Sequence, residues 1–521
     1  MERSNLGKGL RLYFLGQVFA LISIEGMTLA LIPLMAAVMN SAFQLERQWT
    51  VYMPYGAKEM EAMTLSPDVL VPYALLTLLL GIVMLVCDIV SLVALVKLRR
   101  EHPLYRRALF LTLAAAGGQI LAALLQWEGI FVSAAWLAIA CAATVFFLQG
   151  TNDILIINDR IAAIAQNVSV PEWLGPVQEM NGKGLFAVPG FIDAHVHITG
   201  GGGEAGFSSQ VPPLPLSKLI RSGVTTVGGL LGTDGVTRHV DAVLAKANSL
   251  EEEGVSSFIM SGGYPVPSPT LTGSIRSDIA FIEKVRGGKI AIADHRVAPV
   301  SAETLLAVAT EARVGGMLRG FIGMLIMHIG AAAEGLSCVF AALERAPHLG
   351  RHLIATHINR SSFAFSEAAK LVAKGGFMDI SSGLNVQTLG PETLKPSEAI
   401  ALAMRQGVAK ERILMSSDGN GSAARYGDDG SVSGLVASDL GSLHTEFADC
   451  VKEGMPLSEA LCPITRNVAQ AFSLSRKGHI AVGADADILL LAPDLALHTV
   501  IARGECMMRE GTLCKKGTFE E

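Results

Sequence analysis

Short apolar runs alternate with amphipathic stretches through the second half of the chain, and this alternation restricts the fold more than any other feature. Six stretches have apolar residues at helical spacing, at 240–250, 275–285, 302–312, 338–345, 366–373 and 396–406. Eight runs rich in apolar and β-branched residues lie at 186–197, 224–231, 255–261, 289–294, 324–328, 352–357, 377–380 and 413–417. Eight β-α units in about 290 residues predict an α/β fold, a closed TIM-like (β/α)8 barrel.

The segments on either side of this barrel have a different character. Short strand-like runs with turns at 158–159, 483–484 and 504 occupy residues 153–165 and 479–508. Such runs favour antiparallel pairing. We therefore expect a barrel at 187–476 and a small flanking β domain formed by residues 149–186 and 477–521.

The first 148 residues are much more apolar than an ordinary globular domain. The whole chain is 50% hydrophobic and 17% charged, with a mean hydropathy of +0.44, whereas soluble proteins have about 25% charged residues. One such apolar run could be a buried helix or a signal peptide, but four in succession favour membrane spans of about 20 residues each. The sequence thus predicts a region of four transmembrane helices at 1–148, with spans near 12–39, 71–96, 108–126 and 130–148.

Basic residues around these runs predict an orientation. Eight lysines and arginines precede the first run or lie between the second and third, whereas the other two loops carry only Arg47 and Lys58. Because basic residues concentrate on the cytoplasmic side, we expect a multi-pass membrane protein, in contact with the lipid bilayer, with both termini and the barrel in the cytoplasm. Two acids fall within the runs, Glu25 and Asp88, and they are either functional or simply neutral.

Charge and cysteine content exclude several classes of protein. The net charge is −6 and no basic tail is present, which argues against a nucleic-acid partner. The seven cysteines are scattered and form no C-x-x-C pair. The sequence therefore predicts neither a disulfide framework nor a thiolate zinc site.

The strongest local motif is a pair of histidines at the end of the first predicted barrel strand. His195 and His197 are two residues apart, so both side chains can point to one face of the strand. Two surface histidines would give the same pattern. However, this pair follows an apolar strand and leads into four glycines and Glu204, and that setting favours a metal site.

Further candidates follow other predicted strands. His328, His357 and Asp418 fall at the ends of strands five, six and eight, where barrel enzymes carry their chemistry. Each alone could be a core residue or a helix cap, but together with the histidine pair they favour zinc or a similar divalent ion.

Lys289 is placed at the start of the fourth predicted strand, on one face with Ala291 and Ala293. A bare ammonium group would be repelled by metal ions. It becomes a suitable ligand if carbon dioxide converts it to an anionic carbamate. The alternative is a surface lysine that marks the start of the strand.

From about residue 153 to residue 521, the chain resembles the isoaspartyl dipeptidases, binuclear metalloenzymes of the amidohydrolase superfamily. The resemblance implies a metallo-dependent hydrolase barrel. Residues 1–148 have no counterpart in that family, and whether its homo-oligomeric packing is retained stays open. The matching segments are 190–204, 230–234, 294–296, 356–360, 416–422 and 516–520.

The resemblance implies two divalent metal ions, with zinc favoured, and carbon dioxide bound as a carbamate. One metal would be held by His195, His197 and Asp418, the other by His328 and His357, with carboxylated Lys289 as the bridge.

The family also implies roles around the substrate. The implied reaction is hydrolysis of β-aspartyl dipeptides by a metal-bridging hydroxide that attacks the side-chain amide carbonyl, with Asp418 transferring the proton. A hydrolase of cyclic amides or N-acyl amino acids, and a membrane transporter or sensor with a peptide-binding barrel, are the alternatives. The implied substrate residues are Glu204 for the α-ammonium group, Tyr264 for the scissile carbonyl, Arg296, Arg360 and Ser422 for the free carboxylate, and Thr233 in the pocket wall.

Overall fold

Buried apolar residues fill the strands of the computed structural model, which describes residues 152–168, 170, 177–384, 392–426 and 432–521. Residues Asn152–Glu521 form one unit by their contacts. Its strands are β1 (Asp153–Ile157), β2 (Arg160–Ala165), β3 (Phe186–Pro189), β4 (Phe191–Val196), β5 (Val224–Gly229), β6 (Ser256–Gly262), β7 (Val285–Ile292), β8 (Met324–Ile329), β9 (Leu353–Thr356), β10 (Phe377–Ser381), β11 (Ile413–Ser416), β12 (Ser422–Tyr426), β13 (Val432–Ala437), β14 (Ile488–Leu491), β15 (Leu497–Ala502), β16 (Glu505–Arg509) and β17 (Thr512–Leu513).

Helices occupy most of the connections between the barrel strands. Several begin at a serine whose hydroxyl accepts a hydrogen bond from the first turn, as Ser301 does from the Thr304 amide. The helices are α1 (Leu216–Arg221), α2 (Val240–Glu252), α3 (Ile275–Phe281), α4 (Ala302–Arg319), α5 (Ser337–Arg345), α6 (Ser362–Ala373), α7 (Pro396–Arg405), α8 (Ser442–Lys452), α9 (Leu457–Ala460) and α10 (Arg466–Ala471).

Strands β4 to β11 form an eight-stranded sheet in sequence order, with every neighbouring pair parallel. Strands such as β4 and β8 are buried at all six positions. Strands covered on both faces need continuous apolar sequence, which explains the uninterrupted runs in the chain. The predicted parallel barrel is therefore confirmed, as a nearly closed TIM-like ring.

The two ends of this sheet, β4 and β11, are joined by hydrogen bonds to one buried carboxylate. Asp193 accepts hydrogen bonds from the Ser417 amide, over 3.1 Å, and from the Ser417 hydroxyl. Just above, the His197 amide donates to the Gly419 carbonyl over 2.9 Å. These bonds close the ring between the first and last strands.

Two apolar cores lie on the two sides of the barrel wall. The larger one packs the helices against the outer face of the strands. The smaller one joins residues of the barrel strands, such as Phe258, Ile326 and Phe377, to Val468 and Phe472 at α10. The interior below the strand ends is therefore packed with side chains, as expected for a barrel of eight strands.

Strands that precede the barrel in the sequence and strands that follow it pair with each other outside the barrel. β3, β14, β15, β16 and β17 form an antiparallel sheet of five strands. β1 and β2 form a separate hairpin, whose Ile161 amide donates to the Ala484 carbonyl over 3.0 Å.

Three element boundaries differ from the sequence predictions. The run 186–197 contains two strands, β3 in the flanking sheet and β4 in the barrel, which Gly190 separates. The helix predicted at 275–285 ends at Phe281, because the chain is already extended at Ile282 and enters β7 at Val285. Lys289 therefore lies in the middle of β7, not at its start, and its side chain is fully buried.

The prediction of a multi-pass membrane protein is contradicted. Among the residues that the structure describes, no helix is both long enough and apolar enough to cross a bilayer. This finding corrects the expected bilayer contact and the cytoplasmic orientation that was inferred from it. The four runs predicted as spans, together with Glu25 and Asp88, lie outside the described residues.

Replacing Ser417 with alanine tests the contact that closes the barrel. Ser417→Ala removes one hydrogen bond to the buried Asp193 carboxylate, so we expect the free energy of unfolding to fall by about 1–3 kcal/mol. Urea denaturation followed by circular dichroism measures the change. Ser208→Ala, at an exposed serine, is the control, and equal stability of the two variants would contradict this role.

Candidate metal centre and active site

The predicted ligands lie at one end of the barrel, where strands β4, β8, β9 and β11 finish. His195 is the fifth residue of β4, and His328 is the fifth residue of β8. His328 shares its face of β8 with Met324 and Ile326, which point into the barrel interior. His357 directly follows β9, and Asp418 lies two residues beyond β11.

Two of these residues have a left-handed backbone. The φ angles of His357 and Asp418 are +65° and +52°. Few residues other than glycine adopt this conformation, although histidine and aspartate are among those that do so more often. In both cases the left-handed residue turns the chain away from its strand and directs a polar side chain across the mouth of the barrel.

His195, His357 and Asp418 form a cluster that could hold a metal ion. Their ligand atoms all lie within 4.8 Å of one another. His197 extends this cluster, because its Nε2 atom is 3.2 Å from Asp418 Oδ1, while His195 Nε2 is 3.5 Å from the same oxygen. The structure thus places His195 and His197, two of the three residues predicted for the first metal, around the carboxylate of the third, Asp418.

Lys289 reaches the same cluster from β7. Its Nζ atom is 2.8 Å from His195 Nε2, and the whole side chain is buried. Burial lowers the pKa of this amine to about 7, so a large share of it is neutral at physiological pH. A neutral amine is the form that reacts with carbon dioxide.

His328 lies beside His357, with 4.7 Å between the ring centroids. Its Nε2 atom is 2.9 Å from Asp294 Oδ2, and its Nδ1 atom is 2.8 Å from the Tyr264 hydroxyl. A proton on Nε2, donated to the carboxylate, would leave the Nδ1 lone pair either to accept a hydrogen bond from the Tyr264 hydroxyl or to bind a cation.

The charge states of these groups suit a cation. Burial lowers the pKa of His328 to about 3 and the pKa values of His195 and His357 well below their usual range, so these rings are neutral ligands. Burial alone would raise the pKa of Asp418, but the neighbouring histidines hold it at about 2. Neutral imidazoles around an ionised carboxylate are the ligand set that zinc and similar ions prefer, so the residues present fit a metal.

Arg296 and Glu204 face each other at the rim of this cluster. Arg296 Nη1 is 3.4 Å from Glu204 Oε1, and the guanidinium group lies over the Tyr264 ring at 4.9 Å. The Ser422 hydroxyl donates to Glu204 Oε2 over 2.8 Å. In this structure Ser422 therefore contacts the residue predicted for the ammonium group, not the arginines predicted for the carboxylate.

Two of the predicted substrate residues have buried polar atoms without partners. Arg360 Nε and Thr233 Oγ1 are buried, and neither has a hydrogen-bond partner among the described residues. Burial also lowers the pKa of the Arg360 guanidinium group, which means that its charge is poorly solvated. An anionic ligand would compensate for this loss of solvation.

Tyr264 lies between the arginines and the histidines. Its side chain is buried, and burial raises the pKa of its phenol above the usual range. The hydroxyl group therefore remains protonated and can donate a hydrogen bond.

Sequence reasoning missed the buried groups behind the ligands. Asp193 bridges β4 and β11, and Asp379 accepts hydrogen bonds from Thr356 and Ser416 over 2.6 and 2.7 Å. The Ser381 hydroxyl is 2.6 Å from His357 Nδ1. The signal was present, since an acid within a buried apolar strand, as in β4 and β10, seldom occurs without partners.

A solved structure of β-aspartyl dipeptidase from Fervidobacterium islandicum AW-1, in complex with the β-Asp-Leu dipeptide, is similar to this chain. The two are 38% identical, with a TM-score of 0.64. The match covers 71% of this chain and 96% of that structure.

Curated relatives are more distant and have different activities. An adenine deaminase of Halalkalibacterium halodurans is 24% identical over 69% of this chain, which spans only 54% of that protein. An imidazolonepropionase of Paracoccus denitrificans is 23% identical over 63% of this chain and 84% of its own length.

The model of the amidohydrolase family matches residues 186–507. The match includes the whole eight-stranded barrel and every candidate ligand described above. It extends over well more than half of the chain. The chain therefore belongs to the amidohydrolase family.

Proposed function

We propose that this protein hydrolyses β-aspartyl dipeptides in a metal-dependent reaction. The observation that carries the proposal is the arrangement of charges around the His195, His357 and Asp418 cluster. Two arginines, Arg296 and Arg360, offer sites for a carboxylate, and Glu204 offers one for an ammonium group. A free dipeptide has both groups, and the similar structure from Fervidobacterium islandicum contains β-Asp-Leu.

Two divalent metal ions, with zinc favoured, would be bound at this site. His195, His197 and Asp418 would hold one, and His328 and His357 the other. When bound, such ions lower the pKa of water and polarise a carbonyl group. Lys289 would bridge them as a carbamate, for which its buried and partly neutral amine is suited.

Asp418 and Tyr264 supply the proton chemistry in this proposal. Asp418 is ionised at neutral pH, so its carboxylate can accept a proton from the attacking water and return it to the departing amine. The Tyr264 hydroxyl group can donate a hydrogen bond to the carbonyl oxygen as negative charge develops there.

The charged rim would select the substrate. Arg360 Nε, which has no partner among the described residues, and Arg296 Nη1 would donate charge-assisted hydrogen bonds to the substrate carboxylate, and the carboxylate of Glu204 would pair with the α-ammonium group. Both ends of a dipeptide would be held at once, so an internal peptide bond of a longer chain would not fit the same contacts.

Glycines leave the space that the His197 ring occupies. A Cβ atom at Gly232 would lie 2.8 Å from His197 Cε1, and one at Gly421 would lie 3.0 Å from its Cδ2. The separation at Gly232 is shorter than real Cβ contacts and the one at Gly421 is at their lower limit, so a side chain at either position would crowd the ring.

The Gly232→Ala substitution tests whether His197 is a metal ligand. We expect Zn²⁺ affinity to fall about tenfold or more, because the added methyl group moves the ring away from Asp418. Competition with a chromophoric chelator measures it. Gly235→Ala is the matched control, since its Cβ atom would meet nothing closer than 3.9 Å. Equal affinity in both variants would argue against His197 as a ligand.

Release of leucine from β-Asp-Leu and from α-Asp-Leu tests the reaction. We expect the Zn²⁺-loaded protein to cleave the β isomer only, and Lys289→Ala to lose this activity because the bridging ligand is gone. Amino-acid analysis measures the product. Cleavage of neither isomer by protein that binds two metal ions would reject the dipeptidase proposal and favour the cyclic amides.

The Glu204→Gln substitution tests recognition of the ammonium group. Wild-type protein should have a higher kcat/KM for β-Asp-Leu than for its N-acetyl derivative. In the variant this ratio should fall about tenfold, because one charge-assisted hydrogen bond contributes about 1.5–3 kcal/mol. The ratio of the two kcat/KM values measures it. Glu334→Gln, at another exposed glutamate, should leave the ratio unchanged. An unchanged ratio in Glu204→Gln would assign Glu204 another role.

A further inference from the structure

Asp294 lies where the candidate metal site and the candidate substrate site meet. It follows β7 by two residues, after Ala293, whose φ angle of +52° turns the chain toward the mouth of the barrel. Its side chain is nearly inaccessible, with 8% of the residue exposed. A carboxylate this deeply buried needs several partners.

On one side Asp294 contacts a candidate metal ligand. Its Oδ2 atom is 2.9 Å from His328 Nε2, so it can accept the proton of that nitrogen. A carboxylate in this position fixes both the tautomer and the orientation of an imidazole ring. The remaining nitrogen of His328, Nδ1, is then the atom left to bind a cation.

On the other side Asp294 holds an arginine. Oδ1 accepts hydrogen bonds from Arg296 Nε over 2.8 Å and from the Arg296 amide over 2.9 Å, and Oδ2 accepts one from Arg296 Nη2 over 2.8 Å. This bidentate pairing fixes the plane of the guanidinium group and leaves Nη1 directed toward Glu204, 3.4 Å away.

One oxygen atom therefore belongs to both contacts. Oδ2 accepts from His328 and from Arg296 at the same time, and Arg296 Nη2 is 3.4 Å from His328 Nε2. A movement of the carboxylate toward either partner would lengthen its bond to the other.

We propose that Asp294 is a positioning residue that couples the metal site to the substrate site, by orienting His328 for the metal and Arg296 for the substrate carboxylate. The Arg296 half of this inference rests on the proposed function. An asparagine at this position would have the same size but only one accepting atom. Its amide NH₂ group, which donates and cannot accept, would face either the two donors that Oδ1 now serves or the two donors that Oδ2 now serves, so the present set of contacts to His328 and Arg296 could not be kept.

Three variants of the full-length protein separate this role from its alternatives. Asp294→Asn should lower Zn²⁺ affinity about tenfold and, at saturating Zn²⁺, raise the KM for β-Asp-Leu by more than it lowers kcat. Arg296→Met leaves the contact with His328 in place, so it should raise KM and leave Zn²⁺ affinity unchanged. Asp278→Asn changes another fully buried carboxylate, which bonds Ser261 and Thr272 outside this site, and it should affect neither quantity.

Two outcomes for Asp294→Asn would overturn the inference: wild-type Zn²⁺ affinity or an unchanged KM. Equal effects from Asp278→Asn would overturn it as well. If wild-type protein fails to cleave β-Asp-Leu, the proposed function fails by itself. The Zn²⁺ titration then decides the inference, which a normal affinity in Asp294→Asn overturns and a reduced affinity supports.

Discussion

The hydrogen bonds between Asp193 and Ser417 are the interaction on which the rest of the structure depends. An eight-stranded parallel sheet becomes a ring only if its first and last strands meet, and this buried carboxylate joins them. Asp193 lies two residues before His195, and Ser417 directly precedes Asp418. The bond that closes the barrel therefore also sets the spacing between two candidate metal ligands.

Burial at the mouth of this ring determines the charges of the site. Burial excludes water, which keeps His195 and His357 neutral and lowers the pKa of Lys289 to about 7. Asp418 stays ionised because the rings surround it. Burial thus yields the neutral nitrogen ligands, and contacts with those rings keep the Asp418 carboxylate ionised against the opposite effect of burial.

Much of the barrel could be predicted because its strands are continuous apolar runs and its polar residues follow them. The midpoint position of Lys289 could not, since Arg286, Gly287 and Gly288 in the first half of β7 interrupt the apolar pattern that would mark a strand. Nor could the contact between Ser422 and Glu204, which joins the start of β12 to a loop far away in sequence. The apolar composition of residues 1–148 suggested a membrane protein, whereas the described part of the chain has no helix suited to that role.

The left-handed residues at the strand ends have a consequence for how this protein could change. Ala293, His357, Asp418 and Asn420 all have positive φ angles, a conformation that costs L-residues about 1–2 kcal/mol each. Glycine at these positions would relax the backbone at no steric cost. Selection for thermal stability alone would therefore favour glycine at the mouth of the barrel, and candidate metal ligands would be lost. Retention of His357 and Asp418 in thermally selected descendants would require selection for turnover as well.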